Sequence, residues 1–365
     1  MSNTFGKNLK LTIFGESHSK SIGVVIDGIP PGTSIDFEKI KNEMNRRRPS
    51  KNKISTSRYE LDEVDIQSGF FNGKTTGASL CGIIKNKNTK SKDYSNLIDN
   101  MRPSHSDFPS NIKYKGFNDY RGGGQFSGRL TAPIVFAGAI AKQILEKNNI
   151  YIGSHIYSIK DIKDKEFNEL NIELELFNRL LKEEIPTINK NISDKMRSEI
   201  KRYKSEGDSV GGIVETAIIN LPVGLGEPLF DSFESRLSHL LFSIPGVKGI
   251  EFGKGFEITK LIGSQANDEF YYDDNLKEKT YSNNNGGILG GLTTSMPVIF
   301  KVAFKPTPSI SKKQRTINIK EKENVEISIE GRHDPCIVPR ALVVVEAVSA
   351  IITLDFLLES GIVYE

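Results

Sequence analysis

The sequence reads Gly23-Val-Val-Ile-Asp-Gly-Ile-Pro-Pro-Gly32 in its first half and Gly212-Ile-Val-Glu-Thr-Ala-Ile-Ile-Asn-Leu-Pro-Val-Gly224 in its second half, and this repeated stretch decides the fold class. Each copy is a β-branched, apolar run that ends in proline and glycine, which predicts a strand followed by a turn. A helical pattern follows each copy. The first ends near Arg47, and the second runs from Phe233 to Leu241.

Two further matches follow in the same order. Asp65-Ile66-Gln67-Ser68-Gly69 corresponds to Gly249-Ile250-Glu251-Phe252-Gly253, and Gly73–Ser79 corresponds to Gly291–Pro297. Chance could produce one such match, but three in the same order predict a duplicated α+β unit. We expect the halves, about 1–150 and 207–365, to pack as one pseudo-symmetric body with a site between them.

The remaining elements are predicted from periodicity and capping. Leu9–Phe14 is an apolar strand pattern, and Asp36 can cap a helix that runs through Met44. Thr131–Lys147 has the pattern of a strong helix, with a proline in its first turn. Ala341–Leu358 is predicted as a largely buried helix, although its valines also permit a strand. The charged region 158–206 holds two amphipathic helical patterns, and we expect it to be a solvated excursion from the core.

Composition excludes several classes of protein. The 365 residues are 37% hydrophobic and 26% charged, with a net charge of +3, which is typical of a globular protein and too weakly basic for a dedicated nucleic-acid binder. The two cysteines form no disulfide framework, and the sequence contains no metal-ligand motif, so no metal site is predicted. We expect no membrane span, because the apolar run Ala341–Leu354 contains Glu346. The first residues lack the apolar core of a signal peptide, so a cytoplasmic location is expected.

Two histidines lie in polar segments of the first half. Gly15-Glu16-Ser17-His18 follows a strand, and histidine suits proton transfer near neutral pH, although a surface-loop histidine is the favoured interpretation for His18 alone. Met101–Asp107 contains Arg102, which can bind an anion in a fork, and His105. Taken alone, that segment is best interpreted as a polar turn set by a proline.

Two glycine-rich segments are candidates for ligand binding. Asp119–Thr131 carries three glycines before a predicted helix, which allows backbone N–H groups to approach an anion, and arginines flank the glycines on both sides. It has neither Walker nor Rossmann spacing. Gly286–Ser295, followed by a strand and Lys305–Ser309, either holds a flat ligand close to the backbone or forms a strand bend.

A fifth polar segment, Gly331-Arg-His-Asp-Pro-Cys336, precedes the last helix, which Asp334 could simply cap. Cys336 is expected to pack as a small apolar residue, since no pattern marks it as an activated thiol. His155 and His239 have no such polar setting and are predicted to be structural.

Taken together, these segments resemble the chorismate synthase family over essentially the whole chain. Three signatures occur in the family's order. They are Gly15-Glu-Ser-His-Ser with Val25–Gly32, Tyr120-Arg-Gly-Gly-Gly-Gln-Phe-Ser-Gly-Arg129, and Gly331-Arg-His-Asp-Pro-Cys336. The resemblance implies a single domain over 1–365, folded as a β-α-β sandwich and assembled as a homotetramer. It also implies reduced FMN, the substrate 5-enolpyruvylshikimate 3-phosphate, and an anti 1,4-elimination that yields chorismate and phosphate.

The same resemblance implies roles for individual residues. FMN contacts are implied for Gln125, Phe126, Ser127, Pro245, Gly246, Gly290, Lys305, Pro306, Thr307, Pro308, Ser309 and Arg332. Arg47 and Lys53 match positions that bind an anionic ligand described for the family as NADP, and Arg102 and Arg129 match arginines that bind substrate anions. NAD(P)H is expected only indirectly, as the source of reducing equivalents, since no nicotinamide motif is visible, and a separate flavin reductase is the expected partner. The sequence departs from the usual family pattern at Ser19, Lys53, Ser104 and Gln125–Gly128, and Lys53 gives up the bidentate binding of an arginine.

The expected chemistry fits these residue types. A phosphate and two carboxylates carry a large negative charge, so a nearly neutral chain must gather its arginines at one site, and candidates are Arg47, Arg48, Arg102, Arg121, Arg129 and Arg332. By resemblance, His18 stabilises the leaving phosphate, His105 controls flavin protonation, and Asp334 relays the substrate proton. A flavin-independent phosphate-releasing lyase and a non-enzymatic anion- or RNA-binding protein are the alternatives.

Overall fold

The structure is a computed structural model and describes residues 3–49, 61–87, 97–329 and 333–361. The strands are β1 (Thr4–Phe5), β2 (Lys10–Gly15), β3 (Ser21–Asp27), β4 (Val64–Ser68), β5 (Phe70–Phe71), β6 (Lys74–Thr75), β7 (Leu80–Lys85), β8 (Tyr151–Ile159), β9 (Ile162–Lys163), β10 (Gly212–Ile219), β11 (Val247–Phe252), β12 (Phe270–Tyr272), β13 (Glu278–Thr280), β14 (Ile288–Leu289), β15 (Leu292–Thr293), β16 (Val298–Phe304), β17 (Gln314–Asn318) and β18 (Glu323–Ile327). The helices are α1 (Phe37–Arg47), α2 (Asp107–Lys113), α3 (Thr131–Lys147), α4 (Leu174–Leu180), α5 (Lys190–Ser205), α6 (Phe233–Leu241), α7 (Gly263–Ala266) and α8 (Val338–Ser360).

The two halves form two antiparallel sheets with the same strand order. The first sheet is β1-β2-β3-β7-β4, and the second, taken from its opposite edge, is β9-β8-β10-β16-β11. The repeated stretches quoted above form β3 and β10, which occupy equivalent positions, and β4 corresponds to β11 in the same way. The predicted α+β fold is therefore confirmed, together with its internal repeat.

A pair of matching hairpins explains the third match between the halves. β5 and β6 are joined at Asn72-Gly73, and β14 and β15 at Gly290-Gly291. All four turn residues have positive φ, at 48° and 79° in the first turn and 60° and 89° in the second. This backbone is that of a two-residue hairpin turn matched to the twist of its strands, and it favours asparagine and glycine.

Helices fill the space between the two sheets. α3 packs on the first sheet, α8 packs on the second, and the two helices pack against each other. Gly138 allows their close approach, because a Cβ on this residue would lie 2.3 Å from the Cβ of Ala347. One cluster of buried side chains runs through both sheets and this helical layer, which gives the β-α-β sandwich that the family resemblance implies.

The last helix is apolar because it is central. α8 is long and apolar enough to cross a bilayer, yet 94% of its most apolar window is buried within the protein. Its valines did not produce a strand, since packing on all sides outweighs the weak β preference of valine. One of its two glutamates, Glu346, is 1% exposed and bonds to Arg46 (2.7 Å) and Lys142 (2.5 Å). A buried charge of this kind requires such partners.

The predicted boundaries hold closely for most elements. Asp36 caps α1 by accepting from the backbone N–H groups of Glu38 and Lys39, and α3 has the predicted ends.

The expectation that 158–206 is a solvated excursion from the core is partly wrong. Both amphipathic helices are present as α4 and α5, but Met196 and Ile200 of α5 are fully buried in the main core. A helical apolar stripe buries one face even where the overall composition is strongly charged.

Candidate active site

A cavity of about 640 Å³ is lined by segments of both halves of the chain. From the first half come His18, Arg47, Arg102, Ser104, His105, Gly122 and Gln125–Arg129; from the second come Pro245-Gly246, Lys305–Ser309, His333, Asp334 and Arg340. A larger cavity, of about 820 Å³, lies between α1, α3, α4 and the start of α8. Among its charged groups, Arg46, Lys142 and Glu43 are paired with one another or with Glu346. The histidines and the three-glycine segment line the smaller cavity, so we assign the active site to it.

His18 lies in the turn that follows β2 and is only 8% exposed. The interpretation as a surface-loop histidine is therefore wrong. The Oγ atom of Ser17 lies 3.2 Å from Nδ1 of His18 and fixes one side of the ring. Burial at the end of a strand, rather than the histidine's local sequence, places this ring in the cavity wall.

The three-glycine segment separates the two predicted catalytic histidines. Gly122, Gly123 and Gly124 all have positive φ, at 61°, 84° and 53°, within a 3₁₀ segment that leads towards α3. A Cβ on Gly122 would lie 2.4 Å from the His18 ring, and a Cβ on Gly123 would lie 3.2 Å from the His105 ring. The glycines are thus needed both for their backbone conformation and because the histidine rings leave no room for side chains.

His105, Asp107 and Arg102 form one hydrogen-bonded group. Asp107 lies 2.6 Å from Nδ1 of His105 and also binds Arg102 through two oxygens, at 2.6 and 2.8 Å. Burial lowers the pKa of His105, and the charges of Arg102 and Lys305 act in the same direction, whereas Asp107 opposes them. The lowered pKa favours the neutral ring, the carboxylate 2.6 Å from Nδ1 favours a proton on that nitrogen, and Nε2 lies beside Gly123.

Arg47 and Arg129 share a single carboxylate, that of Asp62. Each of its two oxygens binds one guanidinium group, and all three side chains are at least nine-tenths buried. Burial raises the pKa of Asp62, but the two arginines outweigh this and lower it. Arg129 also donates to the side-chain oxygen of Asn86, at 3.1 Å.

Asp334 lies before α8, and its carboxylate binds the guanidinium group of Arg340. Arg340 also donates from Nε to the backbone oxygen of Arg47, at 2.9 Å. The Asp334 carboxylate is therefore held in place by a side chain of the first helical turn and does not act as a simple helix cap.

In the second half of the chain, two cavity residues each have a buried polar atom without a hydrogen-bond partner among the described residues. These atoms are Oγ1 of Thr307 and Nε2 of His333. Buried polar atoms are nearly always paired, and their free energy of burial is high when they are not. Both atoms are thus available to a bound polar molecule, and burial lowers the pKa of His333, which keeps that ring neutral.

The structure does not bring every predicted site residue together. Gly290 lies in the β14–β15 turn and does not line the cavity, so its ligand contact stays a prediction. Arg121 does not line the cavity and pairs with Asp119 at 2.8 Å. Arg48 lines the larger cavity instead. Lys53 and Arg332 lie outside the described residues.

Sequence reasoning missed several residues of the site. Asp107 belongs to the polar segment Met101–Asp107, and its position two residues after His105 could have indicated a carboxylate partner for that ring. Asp62, Asn86 and Arg340 have no local pattern that marks them, because each becomes relevant only through a partner distant in sequence.

Arginines and histidines line the cavity, and segments of two related halves form it, which is typical of an enzyme site for a small anionic molecule. The sequence model of the chorismate synthase family matches residues 9–358 of this chain. The chain belongs to the chorismate synthase family, and it is therefore a lyase.

Individual relatives agree with this assignment over nearly the full chain. Chorismate synthase of Methanocaldococcus jannaschii is 44% identical over 373 residues, which cover 99% of this chain and 98% of that protein. The Pyrococcus abyssi chorismate synthase is 47% identical and covers 97% of both chains. A crystal structure of chorismate synthase superposes with a TM-score of 0.76 at 29% identity, covering 98% of this chain and 93% of that one.

Proposed function

We propose that the protein converts 5-enolpyruvylshikimate 3-phosphate to chorismate and phosphate by an anti 1,4-elimination that requires reduced FMN. The observation that carries this proposal is that the buried His18, the partly exposed His105 and the buried arginines Arg47, Arg102 and Arg129 line one cavity. Such a cavity suits a substrate with one phosphate and two carboxylates, because each anionic group requires a cationic partner once it leaves water.

The residues around the cavity fit a flavin in several ways. A volume of about 640 Å³ lies in the range of roughly 300–1,000 Å³ that holds small ligands. All the implied flavin contacts line it, except Gly290 and the undescribed Arg332, and the Thr307 hydroxyl can donate to a ring oxygen or a phosphate. Reduced FMN, when bound, would supply electron density to the departing C–O bond.

The protein's own groups have separable roles in this proposal. His18, fixed on one side by Ser17, donates a proton or hydrogen bond to the leaving phosphate. His105 presents a neutral Nε2 that can hold a proton on the flavin side, because Asp107 fixes its tautomer. Asp334, held by Arg340, accepts the substrate proton in a relay.

The remaining parts of the proposal concern the whole protein. The chain forms one domain, which the core shared by both sheets supports, with halves at about 1–150 and 207–365. It works as a homotetramer in the cytoplasm and takes reduced FMN from a separate reductase, with NAD(P)H as the indirect electron source.

Anaerobic turnover of the phosphate ester tests the proposal directly. Purified protein should form chorismate and phosphate with reduced FMN, and neither product with oxidised FMN or with no flavin. Phosphate release without any flavin would instead favour the flavin-independent lyase. A complete absence of phosphate release with reduced FMN would overturn the proposed reaction.

A further inference from the structure

Asp62 has no role in the proposed reaction, yet it contacts two of the arginines that line the cavity. Its side chain is fully buried, with Oδ2 bound to Arg47 and Oδ1 to Arg129. Arg47 comes from the end of α1 and Arg129 from the segment before α3, so Asp62 joins two otherwise separate elements.

The pairing of Arg47 and Arg129 differs from that of the other arginines of the cavity. Arg102 has Asp107 as its own carboxylate, and Arg340 has Asp334. Arg47 and Arg129 instead share the Asp62 carboxylate, each through one of its two oxygens. Like charges buried side by side repel each other strongly, so the shared carboxylate is what allows both to stay there.

The arginines are also held in fixed orientations. Nη1 of Arg47 donates to Oγ1 of Thr131 at 3.4 Å, and Nε of Arg129 donates to Asn86 at 3.1 Å. Nε of Arg47 is buried and has no hydrogen-bond partner among the described residues. An unsatisfied donor on a charged, nine-tenths buried side chain that lines a cavity indicates that a ligand acceptor belongs beside it.

We propose that Asp62 is a positioning residue that holds Arg47 and Arg129 side by side as a preformed receptor for one anionic group of the substrate. It acts through the arginines and does not touch the substrate. A preformed receptor avoids ordering two long side chains when the anion binds, and that ordering otherwise reduces affinity. The inference rests on the proposed function only in taking the substrate to be a phosphate ester with carboxylates.

The matched variants are Asp62→Asn and Asp355→Asn. Asparagine keeps the shape of Asp62 but cannot accept from both guanidinium groups, because one of its two terminal atoms is a donor. Asp355 is also fully buried and pairs with Arg236, but neither residue lines the cavity. Both variants therefore break a buried aspartate–arginine pair, and only the first changes the proposed receptor.

Calorimetric titration of the full chain with 5-enolpyruvylshikimate 3-phosphate, without flavin, measures the effect apart from turnover. We expect Asp62→Asn to weaken binding by about 10- to 100-fold, the range of one or two lost charge-assisted hydrogen bonds. Asp355→Asn should change binding by less than about 2-fold, although thermal melting should show both variants destabilised. In steady state, Asp62→Asn should raise KM far more than it lowers kcat, and the pH profile should keep its shape.

Equal affinity in wild type and Asp62→Asn would overturn the inference, as would an equal loss in Asp355→Asn. If Asp62→Asn does not fold, Asp62→Glu takes its place, and unchanged binding with the displaced carboxylate would likewise overturn the inference.

Titration with inorganic phosphate separates the inference about Asp62 from the proposed function. If the wild type binds phosphate but not the ester, the proposed substrate is wrong. The role of Asp62 is then tested by comparing the phosphate affinities of the wild type and Asp62→Asn. A wild type that binds neither anion overturns the inference.

Discussion

His105 and His155 both lie beside buried carboxylates, but their pKa values move in opposite directions. His155, on β8, is fully buried, with Nδ1 3.2 Å from Asp164 and Nε2 2.7 Å from Glu215. Burial alone lowers the pKa of His155, but the two carboxylates outweigh it and raise the pKa. His105 has one carboxylate, which it shares with Arg102, and its pKa is lowered.

The difference separates a histidine with both ring nitrogens bound to carboxylates from one that lines the cavity. Both ring nitrogens of His155 are committed to carboxylates, and those carboxylates also bind the backbone N–H groups of Phe167 and Asn189. This site ties the 158–206 region to the second sheet. His105 keeps one nitrogen at a cavity wall, so it can exchange a proton with a ligand.

The largest expected effect is on turnover at His105. His105→Ala should lower the rate of chorismate formation by roughly 10²- to 10⁴-fold, as is typical when a proton-transfer group is lost. Substrate binding should be nearly retained, since Arg102 and Arg129 remain. Single-turnover kinetics and substrate titration measure the two quantities. A rate within a factor of a few of wild type would place His105 with His155 as a structural residue.

Asp107→Asn should have a smaller effect on turnover, about 10- to 100-fold, because His105 remains but loses the carboxylate that fixes its tautomer. Asp107 raises the pKa of His105 against the effect of burial, so its removal should lower that pKa further. The limb of the pH–rate profile that reports His105 should therefore move to lower pH. A profile shifted to higher pH would contradict this account of the His105 environment.

His155→Gln should leave turnover within about 2-fold and instead lower the free energy of unfolding. Removing the cation leaves two buried carboxylates without their partner, which costs about 3–5 kcal/mol. Because the folded pKa of His155 is raised, its contribution is complete below about pH 6.5 and is lost as pH rises through the folded pKa. Denaturant unfolding at pH 6 and pH 9 should show the gap between variant and wild type shrinking at pH 9. A gap that is constant or grows with pH would show that His155 is neutral in the folded protein.

The smallest effect is expected at His239, which is exposed and packs edge-on against Phe5 at 5.2 Å. His239→Gln should change the free energy of unfolding by less than about 0.5 kcal/mol and leave turnover unchanged. Thermal melting and steady-state assays check both values. A clear loss of activity would require a role for the β1 edge that the cavity does not explain.

The site was predictable to the extent that its residues stand in recognisable segments. His18, Arg102, His105 and Asp334 occur in polar runs where a core element would not tolerate them, and the structure brings all four to one cavity. Asp62 could not be found in this way. A lone aspartate after a leucine is a common turn residue. The role of Asp62 becomes visible only through its contacts with Arg47 and Arg129, which lie on other elements.

The duplicated unit can be predicted from local sequence, because apolar periodicity and turn residues recur in the same order in β3 and β10. The ends of α3 and the capping of α1 are local in the same way. Tertiary contacts are needed to explain why α5 contributes to the core, why α8 is a helix despite its valines, and why His18 is buried. Burial and charge pairing depend on which surfaces, distant in sequence, meet in the fold. A histidine or an arginine acquires its pKa and its partners only when the two halves close around it.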